Sequence, residues 1–248
     1  MMTKEIYQQE NEKIIDIIKS THRWEEDEGF IADGIINYNK YTTSPIKTLV
    51  VLAESYGYHE CGVTPIEEQN EKDILGIGNS TVKTPRCISA LLWFLFESIN
   101  NKRKIEQNEF SDWQKVNPEN VENLNNILTQ IAYINVRKAS KNTDIEKNTK
   151  LSYNEIIEAI DKNRVVLEKQ LNTIKPQLII VASQSVKNGL LNSKLLGEGI
   201  EGDKWYNIYK NNENQIIFFV RHPSYFKDWS YDETYATFEI LFDEFNKI

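Results

Sequence analysis

The sequence predicts an α/β protein of three layers, α/β/α, with helices on both faces of a central, mostly parallel sheet. Three observations predict it. Apolar runs at 47–52, 131–136, 178–182 and 215–220 are continuous rather than alternating, as expected of strands covered on both sides. Between most of them lie stretches long enough for crossover connections, several with helical periodicity. The 40% apolar content of 248 residues is also enough for one substantial core.

Residues 1–44 read as an amino-terminal helical arm, with Ile6, Ile14, Ile15, Ile17 and Ile18 at helical spacing before an acidic, aromatic stretch ending near Tyr41. No chemistry is assigned to that arm, and the main domain is expected over 45–248. The first strand, 47–52, precedes a loop rich in Gly and Glu that runs to about Lys83. Residues 85–99 form an apolar helix with proline near its first turn, and 120–130 a second helix feeding the strand at 131–136. A single helix is expected over 152–173, with Ser152 as N-cap, Glu155 at the capping-box position and Pro176 as its stop. The strand at 178–182 and a short helix at 186–191 follow. Residues 205–209 are expected to pair with 215–220 across a polar turn, and 231–245 to close the domain as a helix.

Composition excludes several classes of function. The longest apolar run, 88–96, is far short of the roughly 20 residues that span a bilayer, and no secretory signal pattern opens the chain, so a cytoplasmic protein is expected. Two cysteines, Cys61 and Cys87, are too few for a disulfide framework or a four-thiolate metal site. A net charge of −8 argues against coating duplex DNA through a global positive field. Basic residues cluster locally instead, as Arg137, Lys138, Lys141, Lys147 and Lys150, with Arg221 and Lys227 farther on. There is neither a Gly-x-Gly-x-x-Gly after a strand nor a phosphate loop ending in Gly-Lys-Ser/Thr, so dinucleotide and nucleoside-triphosphate enzymes lack their usual support.

Polar groups are concentrated where the strands end, which is where α/β sheets place chemistry. Glu54-Ser55-Tyr56-Gly57-Tyr58-His59-Glu60 follows the first strand, Asn135 ends the second, and His222-Pro223-Ser224-Tyr225-Phe226 follows the last. In order and character these segments resemble the two signature motifs and the intervening strand asparagine of the uracil-DNA glycosylase superfamily. The stretch from Asn163 to Ala182, with His222-Pro223-Ser224-Tyr225-Phe226, is most similar to its thermostable, iron–sulfur branch. The similarity covers about residues 47–247.

This resemblance implies a uracil-DNA glycosylase-like fold and a DNA glycosylase that hydrolyses the N-glycosidic bond of a flipped uracil, deaminated or modified base. DNA, single- or double-stranded, is the implied partner, and neither a metal nor another cofactor is expected. Departure of the base leaves positive charge on the sugar and negative charge on the base. By the resemblance, His222 donates to the developing base oxyanion and Glu54 assists water or the sugar charge. Asn135 reads the edge of the everted base, and Ser224 binds a backbone phosphate. Tyr56 or Tyr58 walls the base, and Phe226 wedges into the duplex or, as a packing residue, covers the closing helix. Ser55 stands where the best-known uracil enzymes carry an aspartate, and Tyr56 replaces a proline. The general base is therefore open among Glu54, His59 and Glu60. The cluster ligands of the iron–sulfur branch are not reproduced. Two competing functions remain, a non-catalytic nucleic-acid-binding or protein-interaction module on the same fold, and a hydrolase of free nucleosides or nucleotides.

Overall fold

The computed structural model describes residues 2–21, 33–53, 83–109, 118–138, 152–197, 207–211, 214–220 and 231–246. In chain order the elements are α1 (Lys4–Thr21), β1 (Gly34–Ile35), α2 (Tyr38–Thr43), β2 (Thr48–Leu52), α3 (Lys83–Asn101), a 3-10 turn (Gln107–Glu109), α4 (Pro118–Thr129), β3 (Ala132–Asn135), α5 (Tyr153–Lys162), α6 (Arg164–Ile174), β4 (Leu178–Val181), α7 (Gln184–Asn192), β5 (Asn207–Lys210), β6 (Ile216–Phe219) and α8 (Tyr231–Phe245).

The uncharged sequences of β2, β4 and β6 fit the middle of a sheet, where both faces of a strand must be covered by apolar layers. The sheet has six strands in the order β1-β3-β2-β4-β6-β5. Its inner four strands are mutually parallel, and an antiparallel strand closes each side. The α/β class and the hairpin of β5 with β6 are thus as expected.

Alternation along each strand divides the core in two. Val50, Tyr133, Ile180 and Phe218 face α3, α4 and α8 through Leu91, Leu95, Ile127 and Phe238. Leu49, Val51, Ile134, Val181 and Phe219 face the opposite layer, α5, α6 and α7, through Ile156, Leu167 and Val186. On the first side, Phe94 of α3 stacks on Phe238 of α8 at 5.3 Å and meets Tyr235 edge-on at 5.1 Å.

The helix expected over 152–173 is two helices. Its capping box is present, with the Ser152 N–H donating to Glu155 Oε2 at 2.7 Å and Ser152 Oγ accepting from the Glu155 N–H at 3.3 Å. At Asn163 the backbone leaves helical geometry (φ −98°, ψ 10°). That side chain donates to the Val136 carbonyl at 3.1 Å and the Ala159 carbonyl at 2.8 Å. A buried carbonyl just beyond β3 requires a donor, and Asn163 supplies it where the helix breaks.

Residues of the amino-terminal stretch are bound into the same core. Ile14 and Ile18 of α1 pack on Val166 of α6, and the Tyr7 hydroxyl accepts from the Ile35 N–H at 2.9 Å. Gly34 permits that approach, because a Cβ there would lie 2.8 Å from the same hydroxyl. Tyr41, on α2, donates to the Ile174 carbonyl at 3.2 Å.

Candidate functional site

In a parallel sheet every strand delivers its carboxy end to the same edge. Here Leu52 is level with Asn135, and Val51, Val181 and Phe219 are level with one another. The chain runs from β2 to β3 on one side and then across to β4 and β6 on the other. Its direction of winding therefore reverses between β2 and β4, and crevices for ligands form at such reversals, outside the strand ends. Residue 53 onward and the Ser183 turn leave from the two strands that flank this reversal.

Of the residues assigned from sequence, Asn135 is described, and it is wholly buried. Its main-chain N–H donates to Asp33 Oδ2 in a short hydrogen bond, and its side-chain Nδ2 approaches the same oxygen at 3.3 Å. Glu54, Tyr56, Tyr58, His59, Glu60, His222, Ser224 and Phe226 lie outside the described residues. So do Cys61, Arg221, Lys141, Lys147, Lys150 and Lys227, whereas Cys87 is a buried cysteine of α3.

Around Asn135 is a polar cluster centred on Asp33, which immediately precedes β1. The Lys138 ammonium donates to Asp33 Oδ1 at 2.6 Å, with both side chains sealed from solvent. Gln170, on the buried stripe of α6, donates to the same Oδ1 at 2.8 Å and to the Asp33 carbonyl at 3.1 Å. Lys138 is one of the locally clustered basic residues of the sequence. Its charge is neutralised inside the protein, because an ammonium removed from water needs a carboxylate beside it. Burial pushes the Lys138 pKa down, and the charge and hydrogen bond of Asp33 oppose that shift. The Tyr133 phenol is pushed upward, first by burial and then by the Asp33 charge, while a hydrogen bond from Asn135 acts in the other direction.

Two acceptors in this cluster have no hydrogen-bond partner, Asn135 Oδ1 and Gln170 Oε1. Chemically the cluster provides a fixed carboxylate, a compensating cation and two oriented amides. It has no exposed nucleophile, and no group of three or more His, Cys, Asp or Glu able to hold a metal occurs among the described residues.

Asp33 and Gln170 were not assigned from sequence. Each carried a signal, since Asp33 is a lone acid within Ile31-Ala32-Asp33-Gly34-Ile35-Ile36 and Gln170 falls on the helical stripe of Val166, Leu167 and Ile174. A charged or amide side chain on an apolar face implies a buried partner. The chain matches no protein-family model and no curated protein.

Proposed function

We propose that this protein is a DNA glycosylase that everts a deaminated or modified base and hydrolyses its N-glycosidic bond. The supporting observation is the shared edge of the parallel strands. Leu52, Asn135 and Phe219 end β2, β3 and β6 at that edge, and strands are spaced about 4.8 Å apart. The segments that begin at Glu54 and His222 therefore set out from strands about 10 Å apart, two positions along the sheet. That is the scale of a nucleobase.

On this reading the C1′–N bond breaks with its electron pair leaving on the base. His222 donates a hydrogen bond to the base oxygen as charge develops, and Glu54 offsets the positive sugar and orients the water whose oxygen joins C1′. Ser224 holds a flanking phosphate, Tyr56 or Tyr58 walls the base, and Phe226 fills the vacated stack.

A second reading, a non-catalytic nucleic-acid-binding or protein-interaction module, is favoured by one observation. Asn135 is fully buried with its amide held by Asp33, and Lys138 is withdrawn into the same cluster. An abasic-site cleavage assay separates the readings, using single- and double-stranded DNA that carries uracil, hypoxanthine or a hypermodified pyrimidine. The glycosylase reading expects abasic sites from at least one substrate. Glu54→Ala and His222→Ala should each slow single-turnover excision by about a hundredfold or more, with much smaller changes in DNA affinity. DNA binding without any abasic product would establish the second reading instead.

A further inference from the structure

Residues 135–138, which carry the chain out of β3, are fastened on three sides. The Asn135 main-chain N–H and the Lys138 ammonium both donate to Asp33. The Val136 N–H donates to the Leu52 carbonyl at 3.0 Å and the Arg137 N–H to the Ala53 carbonyl at 3.1 Å, so the chain leaving β3 stays against the chain leaving β2. Asn163 closes the third side through the Val136 carbonyl at 3.1 Å. Asn135, Val136 and Lys138 are wholly buried, whereas Arg137 between them is half-buried. Of the two adjacent cations, Lys138 is neutralised inside by Asp33, and Arg137 is the one that reaches the surface. It does so at the carboxy edge of the parallel strands, beside β2, one of the two strands that flank the reversal of winding.

We infer that Arg137 contacts a backbone phosphate of a nucleic acid bound at that edge. This inference rests on the proposed reading that the edge takes a polynucleotide. A guanidinium keeps its charge at every physiological pH and presents a planar fork of donors that matches two phosphate oxygens. The main chain of Arg137 is already fixed against Ala53, so binding orders the side chain alone and little further freedom is lost. With a net charge of −8, the protein holds a polyanion through local cations rather than through a global field. An arginine that merely solvates the start of a loop would have the same burial, but it would release no counterions when DNA binds.

The test measures the affinity of the full chain for labelled oligonucleotides of ordinary bases, single- and double-stranded, over a series of salt concentrations. Arg137→Gln should reduce the slope of log affinity against log salt by one phosphate, about 0.9 on duplex or about 0.7 on a single strand. At low salt it should also weaken binding by about fivefold. Arg137→Lys keeps the charge without the fork, so the slope should be retained and only part of the affinity lost. Lys175→Asn removes an exposed cation at the opposite edge of the sheet, at a left-handed position (φ 48°) that asparagine tolerates, and should leave the slope unchanged. An unaltered slope in Arg137→Gln overturns the inference. An equal fall in Lys175→Asn overturns it too, since the slope would then report net charge and not a contact. Loss of affinity confined to deoxyuridine 5′-monophosphate, with oligonucleotide binding unchanged, overturns it in favour of a free nucleotide. Failure of the unaltered protein to bind either oligonucleotide overturns it as well. Base excision with an unchanged slope rejects the contact and leaves the glycosylase reading standing. A slope that falls as expected, without abasic product, upholds the contact while rejecting the glycosylase reading.

Discussion

Asp33 accepts hydrogen bonds from Asn135, Lys138 and Gln170 in a region closed to water, so the contribution of each partner depends on the others being present. Lys138→Met leaves the carboxylate buried without its countercharge, and the expected loss is about 3–5 kcal/mol. Adding Asp33→Asn removes the remaining charge while retaining an acceptor for part of the network. Urea unfolding should show the double variant recovering most of what Lys138→Met alone loses. If the two changes were simply additive, the ion pair would not be energetically coupled. The sequence held a partial sign of this cluster in a solitary acid among apolar residues. It did not show that these residues meet, because residues 33, 138 and 170 come together only through the pairing of β1 with β3 and the packing of α6.

At the scale of elements, helix contacts show how a single residue sets the distance between layers. Gly189 of α7 packs directly on α5. A Cβ at that position would overlap the Ile160 δ-methyl and lie 3.1 Å from Ile157 Cδ1. Helix propensity alone favours alanine over glycine by about 1 kcal/mol, but here Ile160 is buried and packed. Gly189→Ala is therefore expected to destabilise by about 1–3 kcal/mol. Ile160→Val removes the obstructing δ-methyl, so in that background the alanine should cost much less, a difference measurable by thermal unfolding of the four proteins in the cycle. Element identities were legible from periodicity, and Ser152 with Glu155 marked a helix start correctly. The break at Asn163 was not legible, since its cause is the Val136 carbonyl on a distant strand.

For the molecule as a whole, the inner parallel strands and their crossovers form the scaffold, while residues 33–43 close one edge. Removing residues 2–21 would uncover Val166 and take the Tyr7 hydroxyl from the Ile35 N–H. Hydrogen exchange should then accelerate first in β1 and α6, with β4 and β6 retaining protection because both their sheet neighbours and their covering helices remain. Uniform acceleration across all strands would mean that α1 supports the entire fold. No helix among the described residues is long and apolar enough to cross a membrane.

From sequence alone follow the α/β class, the positions of most strands and helices, and the occurrence of polar motifs at strand ends. These depend on the order of apolar and polar residues over short distances, which the chain carries explicitly. Tertiary structure decided the strand order, the point where winding reverses, and the enclosure of Asn135 and Lys138 around Asp33. Such features arise from desolvation and hydrogen bonding between residues as many as 137 positions apart, and no local pattern encodes which buried donor will find which acceptor.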